Sequence, residues 1–504
     1  MNDKKHKTSS SETNWLVRGL KIALVITQAA TSTLLIISLI KTGVVGGWIL
    51  AITIVGLVVL LALSTIELII HKRASMTAQI ICALVSIACV ALGCFAMSYT
   101  GALNGFLDKV TERKVETKAY SVLVEEEHNY QALRELQGKN IGFLSTDTKA
   151  GNAEQYLQTQ VEFDANYYDD ASTLVDVLKN DLSDAITLET DRIEALNELG
   201  GQILEGTKVI YTFEIEIDKD DVPTSNKAVT EEPFIIYISG SDSREGVKAT
   251  ARSDVNIVVA VNPKDAKILL VTIPRDTYVQ LHDTVGIKDK LTHAGVYGIE
   301  MSKTTIEDFL GIDIDYTVKV SFDTVVKVVD ELDGIDINSD TAMTLSAMNR
   351  KTCAFVVGVQ HVDGDCALRF ARERKTYETG DRHRGENQQE VITAIINKLS
   401  SSRDYILKLP AILDIAADSF ETSLTREEIT NFIRFQLQEQ PKWDVKSIAV
   451  NGTGAMLPTY SMGANLPLYV MIPYQSTVDE AKDQIESYLK PMSTNTVEQE
   501  EKSE

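Results

Sequence analysis

Three long runs of apolar residues dominate the first hundred positions of the chain. Residues 15–40, 48–70 and 77–100 are each close to the roughly 20 residues that an α-helix needs to cross membrane hydrocarbon. The first run follows a basic segment, residues 1–14, and it is too long and too poorly provided with a cleavage site to be a simple signal peptide. We therefore predict three transmembrane helices within residues 15–100, all of which stay attached to the chain.

Basic residues in the loops between these runs predict the orientation of the chain. The N-terminal segment is basic, the first loop carries only Lys41, and the second loop carries His71, Lys72 and Arg73. By the positive-inside rule, the N-terminus and the second loop face the cytoplasm, and everything after about residue 101 lies outside. The exported part has no access to cytoplasmic ATP. Any reaction there that needs energy must therefore use a substrate that is already activated.

Between residues 101 and 232, apolar segments of strand length alternate with segments of helical periodicity. We expect a connecting helix or stalk at 101–122, strands at 141–145, 161–168, 184–188 and 208–217, and helices at 153–160, 172–179 and 192–199. Such alternation is typical of a small α/β domain with a partly parallel sheet. The polar segment 218–233 is the predicted linker, and Asp147, Asp169 and Asp170 are interpreted as solvated loop acids rather than metal ligands.

A second exported domain begins with the buried-strand pattern at 234–239, and acids and arginines stand at the ends of its first strands. Asp242 follows that strand, Arg252 and Asp254 precede the strand at 255–261, and Arg275 follows the strand at 267–273. Ligand sites of α/β sheets tend to lie at such an edge. We therefore predict that Asp242 and Asp254 hold Mg²⁺ and that Arg252 and Arg275 bind phosphate. The alternative is a set of ordinary ion pairs at strand ends.

A cluster of arginines lies between residues 364 and 393, in a chain whose formal net charge is -23. Arg372 and Arg374 end an apolar segment, while Arg384 and Gln388 share one face of a helix predicted at 382–401. Guanidinium groups bind phosphate oxygens in a bidentate way, and a helix N-terminus adds partial positive charge. The cluster, which also contains Arg369, Asp381 and Arg382, therefore predicts a phosphorylated ligand. The alternative is a solvated face paired with acids, namely Glu373, Glu378 and Glu386.

The remaining patterns complete the second domain. Lys288, Lys290 and His293 precede a predicted helix at 296–310, and His293 is either a polar group beside the site or a helix-start residue without function. Other strands are predicted at 316–320, 335–337 and 445–450, other helices at 322–332, 403–417 and 426–438, and a polar acidic tail at 492–504.

The five cysteines and the acidic composition exclude some functions. Cys82, Cys89 and Cys94 are interpreted as packing residues of the third span, whereas Cys353 and Cys366 are on the exported side, which permits a disulfide without requiring one. No cysteine or histidine spacing resembles a zinc site. The acidic exported bulk argues against direct binding of DNA.

These motifs together resemble the LytR-CpsA-Psr (LCP) family of Gram-positive cell-envelope proteins. The resemblance rests on Asp242, Arg252–Asp254, the IPRD of residues 273–276, the KLTHA of residues 290–294 and the FARERKTYETGDRHRGENQQ of residues 370–389. Three preceding spans and an accessory domain are similar to the family's streptococcal capsule-locus branch, the CpsA or Wzg type. The motifs cover about residues 234–400. The resemblance implies an accessory domain at 101–232, an α/β catalytic domain with a central mixed sheet at 233–440, and its C-terminal part at 441–491.

The resemblance also implies roles for individual residues. Family members bind polyprenyl-pyrophosphate lipids in a hydrophobic pocket and transfer the attached glycan, as a sugar phosphate, to a peptidoglycan hydroxyl. Carried over by motif, Asp242 and Asp254 bind Mg²⁺, and the pyrophosphate contacts are Arg252, Arg275, Arg372, Arg374, Arg384 and Gln388. The expected catalytic residues are Arg275, Arg372, Arg374 and Asp381, the last of which orients the arginines or assists proton removal. Many members have Arg-Gln-Gln where this chain has Asn387, Gln388 and Gln389, so one phosphate contact is unmatched, and whether Arg382 replaces it stays open.

The expected function is an outward-facing phosphotransferase that attaches capsular polysaccharide to peptidoglycan. A pyrophosphate ester carries its own activation, which suits a domain that lacks ATP, and Mg²⁺ and arginines supply charge neutralisation. Two alternatives stay open. One is a regulator or attenuator of capsule synthesis that senses the lipid-linked precursor or contacts a synthesis and export complex. The other is a polyprenyl-pyrophosphate hydrolase that uses the same site with water as the acceptor.

Overall fold

The computed structural model describes most of the chain. The described residues are 3–71, 75–111, 116–145, 147, 149–169, 171–190, 192–193, 204–217, 225, 227–241, 252–346, 352–378, 380–402, 405, 408, 412 and 420–490. The helices are α1 (Asp3–Thr42), α2 (Gly47–Thr65), α3 (Met76–Thr111), α4 (Ala150–Gln158), α5 (Ala171–Lys179), α6 (Leu291–Ala294), α7 (Ile299–Leu310), α8 (Phe322–Glu331), α9 (Gly364–Arg372), α10 (Asp381–Ser401), α11 (Arg426–Glu439) and α12 (Gln475–Leu489).

The strands form two large sheets and several two-stranded ones. They are β1 (Glu116–Glu125), β2 (Asn140–Leu144), β3 (Asp164–Tyr168), β4 (Ala185–Glu189), β5 (Thr207–Ile217), β6 (Phe234–Ser241), β7 (Val255–Asn262), β8 (Lys267–Thr272), β9 (Tyr278–Val279), β10 (Asp289–Lys290), β11 (Tyr316–Ser321), β12 (Ile335–Ser339), β13 (Met343–Ser346), β14 (Thr352–Phe355), β15 (Gly358–Val362), β16 (Phe420–Thr422), β17 (Asp444–Ala449), β18 (Gly452–Thr459) and β19 (Gly463–Pro473). The chain divides into two compact units. The first comprises Met1–Lys109, Ile406–Asp414 and Arg426–Gln440, and the second comprises the rest.

The first unit contains three helices that are long and apolar enough to cross a membrane. The candidate spans are Trp15–Thr42, Gly47–Ile70 and Met76–Val110, as the apolar runs predicted, and they indicate that the chain is anchored in a membrane. Hydroxyl groups link the spans. Ser86 Oγ donates to Ser64 Oγ at 2.9 Å, and the hydroxyls of Ser38 and Thr100 lie 2.6 Å apart. Such hydrogen bonds satisfy polar side chains that water cannot reach within hydrocarbon.

Helix α11 also belongs to the first unit, where its arginines contact the ends of the apolar helices. Arg434 donates to the carbonyl of Gly43, in the loop between α1 and α2, and Arg426 donates to Asp108 near the end of α3. Lys41 adds a third cationic contact, 3.1 Å from Asp108. Helix α11 therefore lies at the end of the spans where the first loop is found.

The accessory sheet of the second unit has the strand order β3-β2-β4-β1-β5. Strands β2, β3 and β4 are parallel, whereas β1 is antiparallel to β4 and β5. The predicted small α/β unit is thus confirmed, but the helix or stalk expected at 101–122 is wrong from residue 116, where β1 begins. The alternating side chains of β1 explain the difference, because Tyr120 and Val122 are buried in one core and Leu123 in the other. Of the helix expected at 192–199, only the first two residues are described.

The second large sheet has the order β16-β11-β6-β7-β8-β17 and is mixed, as expected. Strand β7 is antiparallel to β6 and β8, while β11 is parallel to β6 and β17 is parallel to β8. The carboxyl ends of β6, β8, β11 and β17 and the start of β7 therefore share one edge. Helices α7 and α12 supply Ile306, Leu310, Val478 and Ile485 to the apolar core on one face of this sheet. The hairpin β18–β19 and helix α12 were not predicted.

A disulfide joins Cys353 of β14 to Cys366 of α9, with Cα atoms 5.6 Å apart. The sequence permits this bridge without requiring it, and the structure forms it. The ring of Phe355 lies 5.4 Å from the ring of Phe370. Together these contacts hold α9 against β14 near both of its ends. Gly364, the first residue of α9, approaches α8 so closely that a Cβ atom there would lie 2.2 Å from the carbonyl oxygen of Val326.

Candidate active site

Asp254 and Arg275 meet at the edge of the sheet where β6, β8 and β11 end. Asp254 immediately precedes β7 and Arg275 follows β8, and Arg275 Nη1 donates to Asp254 Oδ1 at 2.8 Å. Arg275 Nε also lies 3.8 Å from Asp276 Oδ2. Burial lowers the pKa of Arg252 below its ordinary value; Asp254 opposes this effect and the charge of Arg275 adds to it. Arg275 thus pairs with the carboxylate of Asp254, and Arg252, two residues before Asp254, is near enough for both charges to affect its pKa.

The second predicted metal ligand, Asp242, lies outside the described residues. Its neighbour Ser241 ends β6 and is 1% exposed. Within the described part of the chain, the hydroxyl of Ser241 has no hydrogen-bond partner. A buried hydroxyl without a partner is costly unless a ligand, an ion or water satisfies it. The end of β6 is therefore a position where a polar ligand fits.

Helix α10 brings Arg384 and Gln388 to the same edge, and the predicted helix at 382–401 is confirmed. Gln389 Nε2 donates to the carbonyls of Leu270 and Ile448, at 3.2 and 2.7 Å, and so fastens the helix across β8 and β17. Gly385 permits close packing, because a Cβ atom there would lie 2.8 Å from Thr272 Cγ2. The first turns of α10 therefore lie against the end of β8.

Two side chains of α10, those of Arg384 and Gln388, indicate that a ligand binds at this edge. Arg384 Nη2 lies 3.5 Å from the backbone carbonyl of Asp254, which joins the second cluster to the first. Gln388 is 7% exposed, and its amide nitrogen has no hydrogen-bond partner among the described residues. An unsatisfied buried donor of this kind suits an anion that approaches from the sheet edge. Asp381 is the first residue of α10, but its side chain is not described.

Arg372 and Arg374 lie at the end of α9, beside α8. The guanidinium carbon of Arg372 lies 5.1 Å above the ring of Phe322, the first residue of α8. Arg374 is exposed and lines a cleft of about 460 Å³ between these helices. The described contacts thus join Arg275 and Arg384 to Asp254, whereas they place Arg372 and Arg374 in the α8–α9 cleft. Their direct contact with pyrophosphate stays a prediction.

Asn387 stands where the Arg-Gln-Gln pattern has its arginine, and its side chain makes contacts within the protein. Its side chain is buried, and Nδ2 donates to the carbonyl of Phe370 at 3.0 Å and to the hydroxyl of Tyr377 at 3.2 Å. Asn387 therefore links α10 to the end of α9. Arg382 is exposed, and its Nε lies 4.0 Å from Glu386, as the alternative of a salt-bridged face expected for this pair. Glu373, in contrast, accepts hydrogen bonds from the backbone of Lys375 and Thr376.

Asp289 is a site-supporting residue that the sequence reasoning missed. It is fully buried and accepts from the backbone amides of Lys290 and Ser461 at 2.7 and 2.8 Å, and His293 Nδ1 lies 2.6 Å from it. Lys290 Nζ in turn donates to Asp276 at 2.8 Å, and Thr292 N donates to the carbonyl of Arg275 at 2.9 Å. Asp289 therefore stabilises the segment that follows it, in which Lys290 contacts Asp276 and Thr292 contacts Arg275. The Asp-x-x-x-His spacing was the available signal, but Ser461 is 172 positions away.

Substituting this carboxylate gives the first testable prediction. Burial alone would raise the pKa of Asp289, but His293, Ser461 and the amide of Lys290 outweigh it and hold that pKa below the ordinary 3.8. A depressed folded pKa stabilises the protein above the unfolded pKa, and this stabilisation is lost as the pH falls through the folded value. We expect Asp289→Asn to cost about 2–4 kcal/mol at pH 7 and less below about pH 4, measured by denaturant unfolding. An equal cost at both pH values would contradict this account.

The match to a family model decides what kind of protein carries this site. The model described as the LytR_cpsA_psr family matches residues 200–484 of the 504-residue chain. The chain belongs to the LytR_cpsA_psr family. Its LytR_cpsA_psr match leaves residues 1–199 uncovered, which include the three apolar helices and most of the accessory sheet.

Other members of the LytR_cpsA_psr family have names that describe a transfer reaction. The chain is 33% identical over 277 residues to the polyisoprenyl-teichoic acid–peptidoglycan teichoic acid transferase TagU of Halalkalibacterium halodurans, covering 54% of this chain and 84% of that relative. It is also 33% identical over 217 residues to TagU of Bacillus subtilis (strain 168), covering 43% and 64% respectively.

Solved structures give similar coverage. The crystal structure of B. subtilis TagV has a TM-score of 0.43 at 29% identity and covers 52% of this chain and 99% of that one. TagT bound to LI-WTA has a TM-score of 0.42 at 27% identity and covers 53% and 94%.

Proposed function

We propose that this LytR_cpsA_psr family member is a membrane-anchored phosphotransferase that acts outside the cell membrane. Its donor is a capsular polysaccharide linked to a polyprenyl pyrophosphate, and its acceptor is a hydroxyl group of peptidoglycan. The names of the TagU relatives support transfer of a cell-wall glycopolymer as the class of reaction. The observation that carries the proposal is the convergence on Asp254, where Arg275 binds the carboxylate and Arg384 reaches the carbonyl.

The reaction balances without any other energy source. The acceptor hydroxyl oxygen attacks the glycan-proximal phosphorus, and the bond from that phosphorus to the bridging oxygen breaks. Polyprenyl monophosphate leaves with the electron pair, and the hydroxyl proton passes to a base, for which Asp381 is our candidate. Such transfers depend mainly on positioning and on neutralising charge at the phosphate oxygens. Arg252, Arg275 and Arg384 supply that charge at the sheet edge, and Gln388 offers an amide hydrogen.

Mg²⁺ is the proposed cofactor, and the residues at the sheet edge fit it. The described hydrogen bonds engage only one oxygen of Asp254, and the buried hydroxyl of Ser241 stands directly before Asp242. Mg²⁺ commonly takes one or two carboxylates and leaves its other positions to water and phosphate oxygens. Asp242 and Asp254 would hold the ion. When Mg²⁺ is bound, its charge would offset the negative charge of the pyrophosphate.

We propose that the N-terminus is cytoplasmic and that the large C-terminal part is outside. The basic N-terminal segment and the second loop, which carries Lys72 and Arg73, support this orientation by the positive-inside rule. The contacts of α11 support the same orientation. Arg434 contacts Gly43 and Arg426 contacts Asp108, at the end of the spans that is opposite to the basic second loop. Peptidoglycan is then on the same side as the site.

Attachment of capsule in cells tests this function. We expect Arg374→Ala to reduce wall-linked polymer and to increase polymer released into the medium, because an exposed cation that lines the cleft is lost. Lys264→Ala is the matched control, because it removes an exposed cation from the turn between β7 and β8 at the opposite edge of the sheet. Covalently bound polymer is measured after the walls are purified. Normal attachment in the Arg374→Ala cells would overturn the proposal, and a change in capsule transcripts that persists in them would favour the regulator.

A further inference from the structure

The cleft between α8 and α9 contains more positive charge than a pyrophosphate site requires. Five basic residues line it beside two acidic residues and two apolar ones: Lys327, Arg369, Arg372, Arg374 and Lys375; Asp365 and Glu373; Val326 and Leu368. The family resemblance gives roles to Arg372 and Arg374 alone. The other three cations stand in a chain whose net charge is -23, so their concentration here is not a property of the general surface.

Lys327 and Arg369 are available to bind a ligand. Neither side chain forms an ion pair or a hydrogen bond within the described part of the chain, and the same holds for the side chains of Arg374 and Lys375. In contrast, Arg382 has Glu386 as a neighbour at 4.0 Å. The two carboxylates offset only part of the charge of the five cations, and an anion in the cleft reduces the repulsion that is left.

The cleft is built on a rigid frame. Gly364 N donates to Asp330 Oδ1 at 2.8 Å, Asp363 caps α9 through Cys366 N at 3.1 Å, and the Cys353–Cys366 bridge fixes the same turn. Helices α8 and α9 are therefore held at a fixed separation. Lys327 projects from α8 and Arg369 from α9, so the cations enter the cleft from both of its walls.

We propose that Lys327 and Arg369 form a subsite for an anionic group, a phosphate or a carboxylate, on the glycan of the donor. The inference rests on the proposed phosphotransferase function and narrows its substrate to an anionic glycan. Seven of the nine lining residues are charged and five of those seven are cations, which favours an anionic group over the prenyl chain as the occupant. Arg372 and Arg374, which are predicted to contact the pyrophosphate, line the same cleft, so the subsite would receive a sugar close to the pyrophosphate. An acidic group of the acceptor could fill the same subsite, because it has the same chemistry. The experiment below distinguishes these two sources of the anion.

The test compares two donors with the full-length protein in nanodiscs. Both are short-chain polyprenyl-pyrophosphate disaccharides, and only one carries a phosphate on its second sugar. We expect Lys327→Gln with Arg369→Gln to weaken binding and kcat/KM about tenfold for the anionic donor and less than about twofold for the neutral one. The charge-matched control, Lys264→Gln with Lys442→Gln, changes neither value. The effect on the anionic donor shrinks at high salt.

Three results would overturn the subsite. One is equal binding of the two donors by the unsubstituted protein, another is an equal loss for both donors in the double variant, and a third is a loss that follows the acidic groups of the acceptor. Failure of the proposed function gives a different pattern, because the unsubstituted protein then transfers neither donor. Donor binding is measured separately from transfer, so the preference for the anionic donor still decides the subsite in that case.

An independent feature is a series of polar contacts that runs from the accessory sheet to the site and includes the buried side chains of Arg192 and Asp289. Arg192 is 5% exposed, and its guanidinium carbon lies 4.8 Å above the ring of Tyr297. The hydroxyl of Tyr297 lies 3.0 Å from Ser461 Oγ, and Ser461 binds Asp289 through both its amide and its hydroxyl. Asp289 supports Lys290, whose ammonium group contacts Asp276 beside Arg275.

The end of this series of contacts that lies in the accessory sheet is also held by buried groups. Lys118 Nζ donates to Glu189 Oε1 at 2.5 Å, and Glu189 is the last residue of β4. Met462, next to Ser461, is buried in the core of the accessory sheet. Movement of the accessory sheet would therefore move Ser461, which binds Asp289.

From this second observation we infer that Arg192 is a positioning residue for Arg275 and that the accessory sheet is part of the catalytic unit. We expect Arg192→Met to lower kcat about fivefold with an unchanged KM for the donor, and Arg192→Lys to restore most of kcat because it retains the cation over Tyr297. Lys139→Met, which breaks the half-buried Lys139–Asp184 pair, is the control within the same sheet.

A purely structural role predicts a different result. It would lower the unfolding temperature of both Arg192 variants and leave kcat unchanged at temperatures where they stay folded. That outcome would overturn the inference, as would an equal loss of kcat in Arg192→Met and Arg192→Lys.

Discussion

Arg275→Ala is expected to reduce glycan transfer by about 10²–10³-fold while the protein stays folded. Arg275 is held by three contacts: it binds Asp254 at 2.8 Å, lies 3.8 Å from Asp276, and its carbonyl accepts from Thr292. Its guanidinium group is thus held in position before any ligand binds. Loss of a prepositioned cation removes the stabilisation of charge that develops on the phosphate oxygens in the transition state.

The measurement for Arg275 is kcat with the same donor and acceptor, accompanied by a thermal unfolding curve. Arg275→Lys is the informative partner variant, because lysine keeps the charge but loses the two-pronged geometry. We expect it to recover only part of the activity. Full activity in Arg275→Ala would show that the sheet edge is not the reactive site. A loss that only parallels unfolding would show a structural role.

Gly364→Ala is expected to destabilise the protein by about 2–3 kcal/mol, a large effect for one methyl group. The added Cβ atom would lie 2.2 Å from the carbonyl oxygen of Val326 and 2.8 Å from its carbonyl carbon. Both are backbone atoms of α8, so no side chain can turn aside. Helix α9 would have to move, although the Cys353–Cys366 bridge and the bond from Gly364 N to Asp330 oppose that movement.

Denaturant unfolding measures the cost of Gly364→Ala. Gly151→Ala is the matched control, because it lies within helix α4 with no atom within 4 Å of the added methyl group. Alanine has a higher helix propensity than glycine, so we expect that control to be neutral or slightly stabilising. A Gly364→Ala variant as stable as the unsubstituted protein would mean that α8 and α9 are not held as closely as described.

Regular patterns in the sequence were sufficient for much of the fold. The apolar runs predicted the three spans, and the repeat of apolar residues after Arg384 predicted α10. Alternating strand and helix segments predicted both α/β sheets. Strand ends carrying Arg252, Asp254 and Arg275 also predicted that these residues lie together, because β7 begins at the edge where β8 ends. These signals are all local: continuous apolar runs for the spans, periods of two or about 3.6 residues for strands and helices, and charged residues at strand ends for the site.

Elements whose role depends on distant partners could not be predicted in this way. The mixed charges of residues 101–122 predict a connecting helix or stalk, yet β1 pairs with β4 and β5, about 65 to 100 positions later in the chain. Asp289 gains its role from Ser461, and Asn387 from the end of α9. Buried polar contacts of this kind follow from the tertiary structure, and the sequence shows only the polar residue.

The most direct test of the central claim is the mass of the product. The full-length protein in nanodiscs receives Mg²⁺, peptidoglycan fragments and a donor whose glycan-proximal phosphate is labelled with ¹⁸O. We expect a linked product that contains the glycan, one labelled phosphate and the acceptor, together with unlabelled polyprenyl monophosphate. Labelled glycan phosphate released without linkage would establish a hydrolase. Tight donor binding without any product, with a competent acceptor present, would contradict the account and favour a sensor of the lipid-linked precursor.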